Sequence, residues 1–230
     1  MTAGTNSRLR LGLLLPSCNT TMEPDFYRHL PAGITLHTAR MYLEESTVAA
    51  EERMLDEFAS PAARDVATAK PHAVVFGCTS GGALRGNAYD LKLCQDITRI
   101  SGVPTVSVMA SVREAIQRRE AKRIAVITPY VEELNQCVQA SIEAEGVEVL
   151  GVHGMGIVQA FRIAQVTPQE IVAFAQKKLK GVRADLLFAS CTNWRGMEAI
   201  PLLRELFDIP VISSNQAALE AALRTLGATT

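Results

Sequence analysis

The chain repeats its own pattern. Short apolar runs alternate with longer helical patterns in two successive blocks, and the blocks correspond element by element. Strand candidates in the first half are Leu9–Leu15, Ile34–Met41, Ala73–Phe76 and Pro104–Ser107. Those in the second are Arg123–Thr128, Glu148–Val152, Asp185–Ala189 and Pro210–Ser213. Helical patterns fall between them, around residues 47–69, 87–100, 111–120, 130–145, 168–180, 196–207 and 216–226. This alternation is the mark of βα units on a mostly parallel sheet. The fold class that follows is α/β: two pseudo-symmetric, mostly parallel four-stranded lobes with an active site in the cleft between them. The expected organisation is a disordered tail at 1–8, a first lobe at 9–115 and a second at 116–230, with the chain crossing back near its C-terminus.

The internal matches are specific. Gly12-Leu-Leu-Leu-Pro16-Ser17 corresponds to Ala125-Val-Ile-Thr-Pro129-Tyr130, and Gly102-Val-Pro104-Thr-Val-Ser107 to Asp208-Ile-Pro210-Val-Ile-Ser213. Phe76-Gly-Cys78-Thr79-Ser80 corresponds to Ala189-Ser-Cys191-Thr192-Asn193. A cysteine with a hydroxyl neighbour therefore occurs at a strand-to-helix turn once in each half. Ligands of open parallel sheets bind beyond the carboxyl ends of the strands, where loops and helix N-termini converge. If the lobes face each other, both cysteine turns and the loops at Pro16–Thr20 and Thr128–Tyr130 meet in one cleft.

Composition narrows the function. The 230 residues carry a net charge of −1, and no basic stripe interleaves with aromatics, so nucleic acid is not an expected partner. No apolar run approaches the roughly 20 residues that span a bilayer. Met1–Arg10 is polar and lacks the apolar core of a secretory signal. A cytoplasmic, membrane-free protein is the expectation. Cysteines 18, 78, 94, 137 and 191 do not make a disulfide scaffold in a chain this long, and no CxxC, HExxH or clustered histidine suggests a metal. GxGxxG and P-loop signatures are absent, so no cofactor is expected.

The chemistry of the paired turns is then thiol chemistry. Two acid/base groups flanking a planar carbanion can invert a stereocentre. Alternatively, one thiolate adds to an activated double bond while the other thiol protonates the adjacent carbon. A helix N-terminus is expected to lower the pKa of each thiol, and its free N–H groups to receive a substrate carboxylate. Cys78 and Cys191 are the expected catalytic pair. Ser17, Asn19, Thr79, Ser80, Tyr130, Thr192 and Asn193 are the expected substrate-binding residues; Asn19 reads equally as the cap of the next helix. Cys94 and Cys137 read as core, and Cys18 as packing or a third pocket thiol. Arg195 reads as a solvated helix residue, His153 as structural, and Glu44, Glu45, Glu51 and Glu52 as an exposed helix start and face.

The two Cys-Thr turns, the loop Pro16-Ser-Cys-Asn-Thr-Thr-Met-Glu23 and Thr128-Pro-Tyr130 resemble the aspartate/glutamate racemase superfamily, and within it the maleate cis-trans isomerase and arylmalonate decarboxylase branch, over about residues 8–226. The resemblance implies cofactor-independent isomerisation of a small carboxylic acid by a homodimer or homotetramer. Cys78 would be nucleophile or base and Cys191 proton donor. It leaves open an amino-acid or hydantoin racemase, an arylmalonate-decarboxylase-like enzyme, or a non-catalytic carboxylate binder. The decarboxylase branch typically keeps only the second-half cysteine, so Cys78 argues for isomerisation. Two positions depart from the pattern. Cys18 stands where the first loop usually has serine, and Ala160, beside Gln159, stands where the isomerases carry a substrate-binding asparagine. The resemblance therefore speaks to reaction type more firmly than to maleate itself.

Overall fold

The structure, a computed structural model, describes residues 8–228; of the expected tail at 1–8, all but Arg8 lie outside them. Two four-stranded sheets form, both wholly parallel. The first has strands β1 (Leu9–Pro16), β2 (Ile34–Met41), β3 (Ala73–Phe76) and β4 (Thr105–Ser107) in the order β2-β1-β3-β4. The second has β5 (Arg123–Thr128), β6 (Glu148–Gly154), β7 (Leu186–Ala189) and β8 (Val211–Ser213) in the order β6-β5-β7-β8. Leu11 to Leu14 of β1 pair with Ala73 to Phe76 of β3; Ile124 to Ile127 of β5 pair with Leu186 to Ala189 of β7. Both pairings are displaced by the same 113 residues that separate Cys78 from Cys191.

Central strands of parallel sheets are covered on both faces and so read as unbroken apolar runs. Ala73-Val-Val-Phe76 and Leu186-Leu-Phe-Ala189 are 0% exposed throughout. Side chains alternate across a strand, and the two faces of the first sheet serve different cores. Leu11, Leu13, Leu15, Ala73 and Val75 join a core continuous with the second lobe. Leu14, Val74 and Phe76 face a smaller cluster with Met54, Leu55, Ala59, Ala62, Ala63, Val66 and Ile97.

The helices of the first lobe are α1 (Met22–His29), α2 (Val48–Arg53), α3 (Ala59–Ala67), α4 (Thr79–Ala83), α5 (Asn87–Ser101) and α6 (Val108–Arg118). A π-helical turn, Met54–Phe58, joins α2 to α3, so the helical pattern expected over 47–69 is one nearly continuous rod. The second lobe has α7 (Glu132–Glu143), α8 (Ala160–Ile163), α9 (Pro168–Lys178), α10 (Gly196–Phe207) and α11 (Ser214–Thr225). The helix expected to begin at Ser111 starts three residues earlier, because the Ser107 hydroxyl caps it by accepting the Ala110 N–H. Ser213 caps α11 in the same way, through the Gln216 N–H. The preceding helices in each lobe, α5 and α10, end on the matched left-handed residues Gly102 and Asp208.

The repeat is broken at one place. α11 leaves the second sheet and lies against α6, α1 and the strands β3 and β4 of the first lobe. The expected division at 115/116 falls in the last turn of α6.

Candidate active site

Each cysteine turn is set by its strand. After β3, the Gly77 N–H donates to Leu14 O at 2.7 Å, and a Cβ at Gly77 would stand 2.8 Å from that oxygen. Glycine is needed for the turn to close this tightly on β1. Cys78 is then the N-cap of α4, and its Sγ accepts the Gly81 N–H at 3.4 Å. After β7, the Ser190 N–H donates to Ile127 O, the equivalent bond. Cys191 follows with φ of +123°, a conformation rare for any residue with a side chain. Its Sγ accepts the Asn193 N–H at 3.3 Å, and its own N–H donates to Ser214 Oγ at 3.0 Å.

Both thiols line one narrow pocket between the lobes, with Cys18, Asn19, Leu43, Ser46, Glu51, Thr79, Ser80, Tyr130, Ala160, Thr192 and Asn193. Two stretches zip together over it: Ser46 N donates to Val158 O and Ala160 N to Glu44 O, flanking a bridge between Glu45 and Gln159. A wider surface groove along Gly156–Val166 contains no nucleophile. Among the described residues no group of three or more His, Cys, Asp or Glu is placed to hold a metal ion.

Six of the seven residues expected to bind substrate line this pocket, but several of their side chains are already engaged. Asn19 accepts the Thr21 and Met22 N–H groups just ahead of α1, whose N-cap is Thr21, and its amide donates to Thr192 Oγ1 at 3.0 Å. Thr192 Oγ1 in turn donates to Gly77 O. Asn193 Oδ1 accepts the Thr20 N–H, and its Nδ2 donates to Ala160 O at 2.8 Å. Ser17 stays outside: its hydroxyl pairs with the Leu43 backbone and faces a neighbouring groove. Arg195 pairs with Glu198 at 2.7 Å, away from the thiols.

The acid/base picture departs from the sequence reading in two ways. Burial pushes Cys191 up to about 12 and Cys78 well above the usual thiol range, the negative charge of Glu51 adding to the rise at Cys78. The turn N–H groups pull the other way, but losing water costs a thiolate more than those donors return. The expected lowering of the thiol pKa therefore does not occur in the closed pocket. Tyr130, itself raised by burial, lines the same pocket, and its hydroxyl favours the Cys191 thiolate.

The second correction is Glu51. Expected on an exposed face with Glu44, Glu45 and Glu52, it is instead 1% exposed in the thiol pocket, while those three are exposed. Its Oε1 accepts the Ser80 hydroxyl at 2.6 Å, and burial pushes its carboxyl up to about 7. The signal was legible: Glu51 precedes Met54 and Leu55 by three and four residues, on the stripe that continues to Ala59, Ala62 and Val66. Ser214 was also missed. It accepts from both Cys191 N and Thr79 Oγ1, and stands where the first-half repeat has Val108.

A family model described as arylmalonate decarboxylase matches residues 11–230. A maleate isomerase of Geobacillus stearothermophilus is 25% identical, covering 94% of this chain and 91% of the relative. A maleate isomerase variant from Pseudomonas putida, solved with maleate, superposes with a TM-score of 0.89 at 24% identity, covering 96% of this chain and 93% of that one. A Nocardia farcinica maleate cis-trans isomerase mutant with a covalently bound succinylcysteine intermediate gives 0.86 at 22% identity, over the same shares.

Proposed function

The chain belongs to the arylmalonate decarboxylase family, and from that premise we propose that it is a cofactor-independent cis-trans isomerase of a small dicarboxylic acid, with Cys78 as nucleophile and Cys191 as proton donor. The observation that carries this reading is the arrival of two thiols, from matched turns of two lobes, in one narrow pocket. The relatives bearing maleate isomerase names match over nearly the whole chain, and one of them holds a succinylcysteine.

Such an adduct matches the chemistry two thiols can perform. Addition of Cys78 Sγ to one alkene carbon turns the double bond into a single bond. Cys191 delivers a proton to the adjacent carbon, leaving a succinyl thioether. Rotation about that single bond, return of the proton to Cys191 and departure of Cys78 regenerate the alkene in its trans form. A raised pKa suits Cys191 to the donor role, because the thiol remains protonated until the carbanion forms. Tyr130 supports the thiolate left behind. Negative charge developing on the substrate carboxylate is met by the N–H groups that open α4, at Thr79 and Ser80. Asn19, Thr192 and Asn193 hold the two lobes' loops in register around the substrate. Among the described residues the pocket is lined by hydroxyl, amide and thiol groups, which suit recognition of a carboxylate through hydrogen bonds.

Decarboxylation, the activity in the family's name, is the second reading. It is disfavoured because one proton donor suffices for it and Cys78 would have no role. The test is proton NMR in heavy water with maleate, substituted maleates, aspartate, glutamate, hydantoins and arylmalonates. Conversion of a maleate to its fumarate supports the proposal; turnover of an arylmalonate alone refutes it. No helix among the described residues is long and apolar enough to cross a membrane. A cytoplasmic homodimer or homotetramer completes the reading, checked by fractionation and light scattering.

A further inference from the structure

Three carboxyl groups among the described residues are each 1% exposed: Asp25, Asp90 and Glu51. Two of them are held as structural carboxylates are. Asp90 accepts from Ser107 on one oxygen and from Arg113 on the other. Asp25 accepts from Arg28 on one and from Asn215 on the other. Glu51 differs. Its Oε1 accepts a single hydrogen bond, from Ser80 Oγ at 2.6 Å, and its Oε2 is buried with no partner. An unpaired buried carboxylate oxygen is costly, and an apolar residue would fill the same space without that cost.

The other neighbour of Ser80 Oγ is the nucleophile. Cys78 Sγ lies 3.8 Å from it, close enough for the thiol to donate. Cys78 is the N-cap of α4 and Ser80 its second residue, so the turn itself brings sulfur and hydroxyl together, while α2 brings Glu51 from outside. We propose that Cys78, Ser80 and Glu51 form a proton relay in which Glu51 takes the Cys78 thiol proton through the Ser80 hydroxyl as the sulfur attacks.

The step balances. The thiol proton passes to Ser80 Oγ, the Ser80 hydroxyl proton passes to Glu51 Oε1, and the sulfur's electron pair forms the new S–C bond. The reverse transfers accompany elimination. Charge stays constant, because the carboxylate is neutralised as negative charge appears on sulfur. That removes the obstacle the ground state presents, since the charge on Glu51 is the second cause, after burial, of the raised Cys78 pKa. A carboxyl pushed up to about 7 is near the optimum for a base working at neutral pH. The titratable groups sharing the pocket with Glu51, besides Cys78, are Cys18 on the first loop, Tyr130 after β5 and Cys191 after β7. Each feels its charge, and none is a cation or a competing base.

The proposal rests on Cys78 being the nucleophile of the reaction above, but its test reads the thiol directly. The full chain is treated with iodoacetamide between pH 6 and 9.5, and alkylation of Cys78 is followed by peptide mass spectrometry. With the relay, the wild-type rate rises through an inflection near pH 7 and then levels. Glu51→Gln loses the levelling, climbs about tenfold per pH unit, and is slower at pH 7 by about a hundredfold. Ser80→Ala gives the same shape. A charge effect alone predicts the opposite, a faster reaction in Glu51→Gln. An inflection retained in that variant, or a wild-type profile that climbs without levelling, overturns the relay. The wild-type profile alone can refute it, so misfolding of either variant does not shelter it. A levelling wild-type profile with no isomerase turnover supports the relay and counts instead against the proposed reaction.

Discussion

Thr79 and Ser214 meet hydroxyl to hydroxyl at 2.9 Å, joining the cysteine turn of the first lobe to the first residue of α11. The same Ser214 oxygen accepts the Cys191 N–H at 3.0 Å. One side chain thus references both thiol turns to each other, and it does so because α11 crosses back onto the first lobe.

Ser214→Ala should therefore loosen the site from outside the pocket. It strands a buried N–H and a buried hydroxyl, a loss of about 1–3 kcal/mol. At this chain length that lowers Tm by roughly 2–4 °C per kcal/mol, readable by calorimetry. Activity should fall with it, because Cys191 already sits in a strained conformation that only its surroundings maintain.

Cys78→Ser and Cys191→Ser should each reduce isomerisation by about a thousandfold or more. The swaps nearly conserve volume, so melting temperatures should stay near wild type. Retained turnover in either variant, measured by NMR, would remove the two-thiol mechanism.

Tyr130→Phe keeps the ring, which is 2% exposed, and removes only the hydroxyl that favours the Cys191 thiolate. A hydrogen bond to a charged group contributes about 1.5–3 kcal/mol. The variant should lose roughly tenfold to a hundredfold in kcat, and its Cys191 thiolate should appear at higher pH, followed by absorbance near 240 nm.

Glu51 also predicts how stability depends on pH. Its folded pKa of about 7 lies above the ordinary 4.5, so the folded protein holds a proton that the unfolded chain releases. Its contribution is full below about pH 4.5 and is lost as pH rises to about 7, amounting to roughly 3 kcal/mol. Relative to wild type, Glu51→Gln should melt higher at pH 8 than it does at pH 5. An equal difference at both pH values would mean that Glu51 is not held as a raised acid.

Much of this was legible in one dimension. Central parallel strands are buried on both faces, so Ala73–Phe76 and Leu186–Ala189 announce themselves as apolar runs. The repeat located both cysteines, since matched strands end at matched turns. Helix α1 was not read as an element, because Met22–His29 is short and mostly polar, with only Met22, Asp25 and Phe26 buried. Glu51 was misread because an acidic side chain beside Glu52 looks solvated, although its spacing to Met54 and Leu55 put it on the inward stripe.

The positions of the strands, the pairing of Cys78 with Cys191 and the class of chemistry thus follow from local patterning and internal repetition, which reside in the chain itself. The direction of the thiol pKa values, the unpaired carboxylate of Glu51 and the bridge through Ser214 do not. Each depends on how much water two lobes exclude when they close on each other, and on where α11 comes to rest. Desolvation and long-range contact belong to the assembled fold, and here they outweigh the helix-terminus effect that the local sequence suggests.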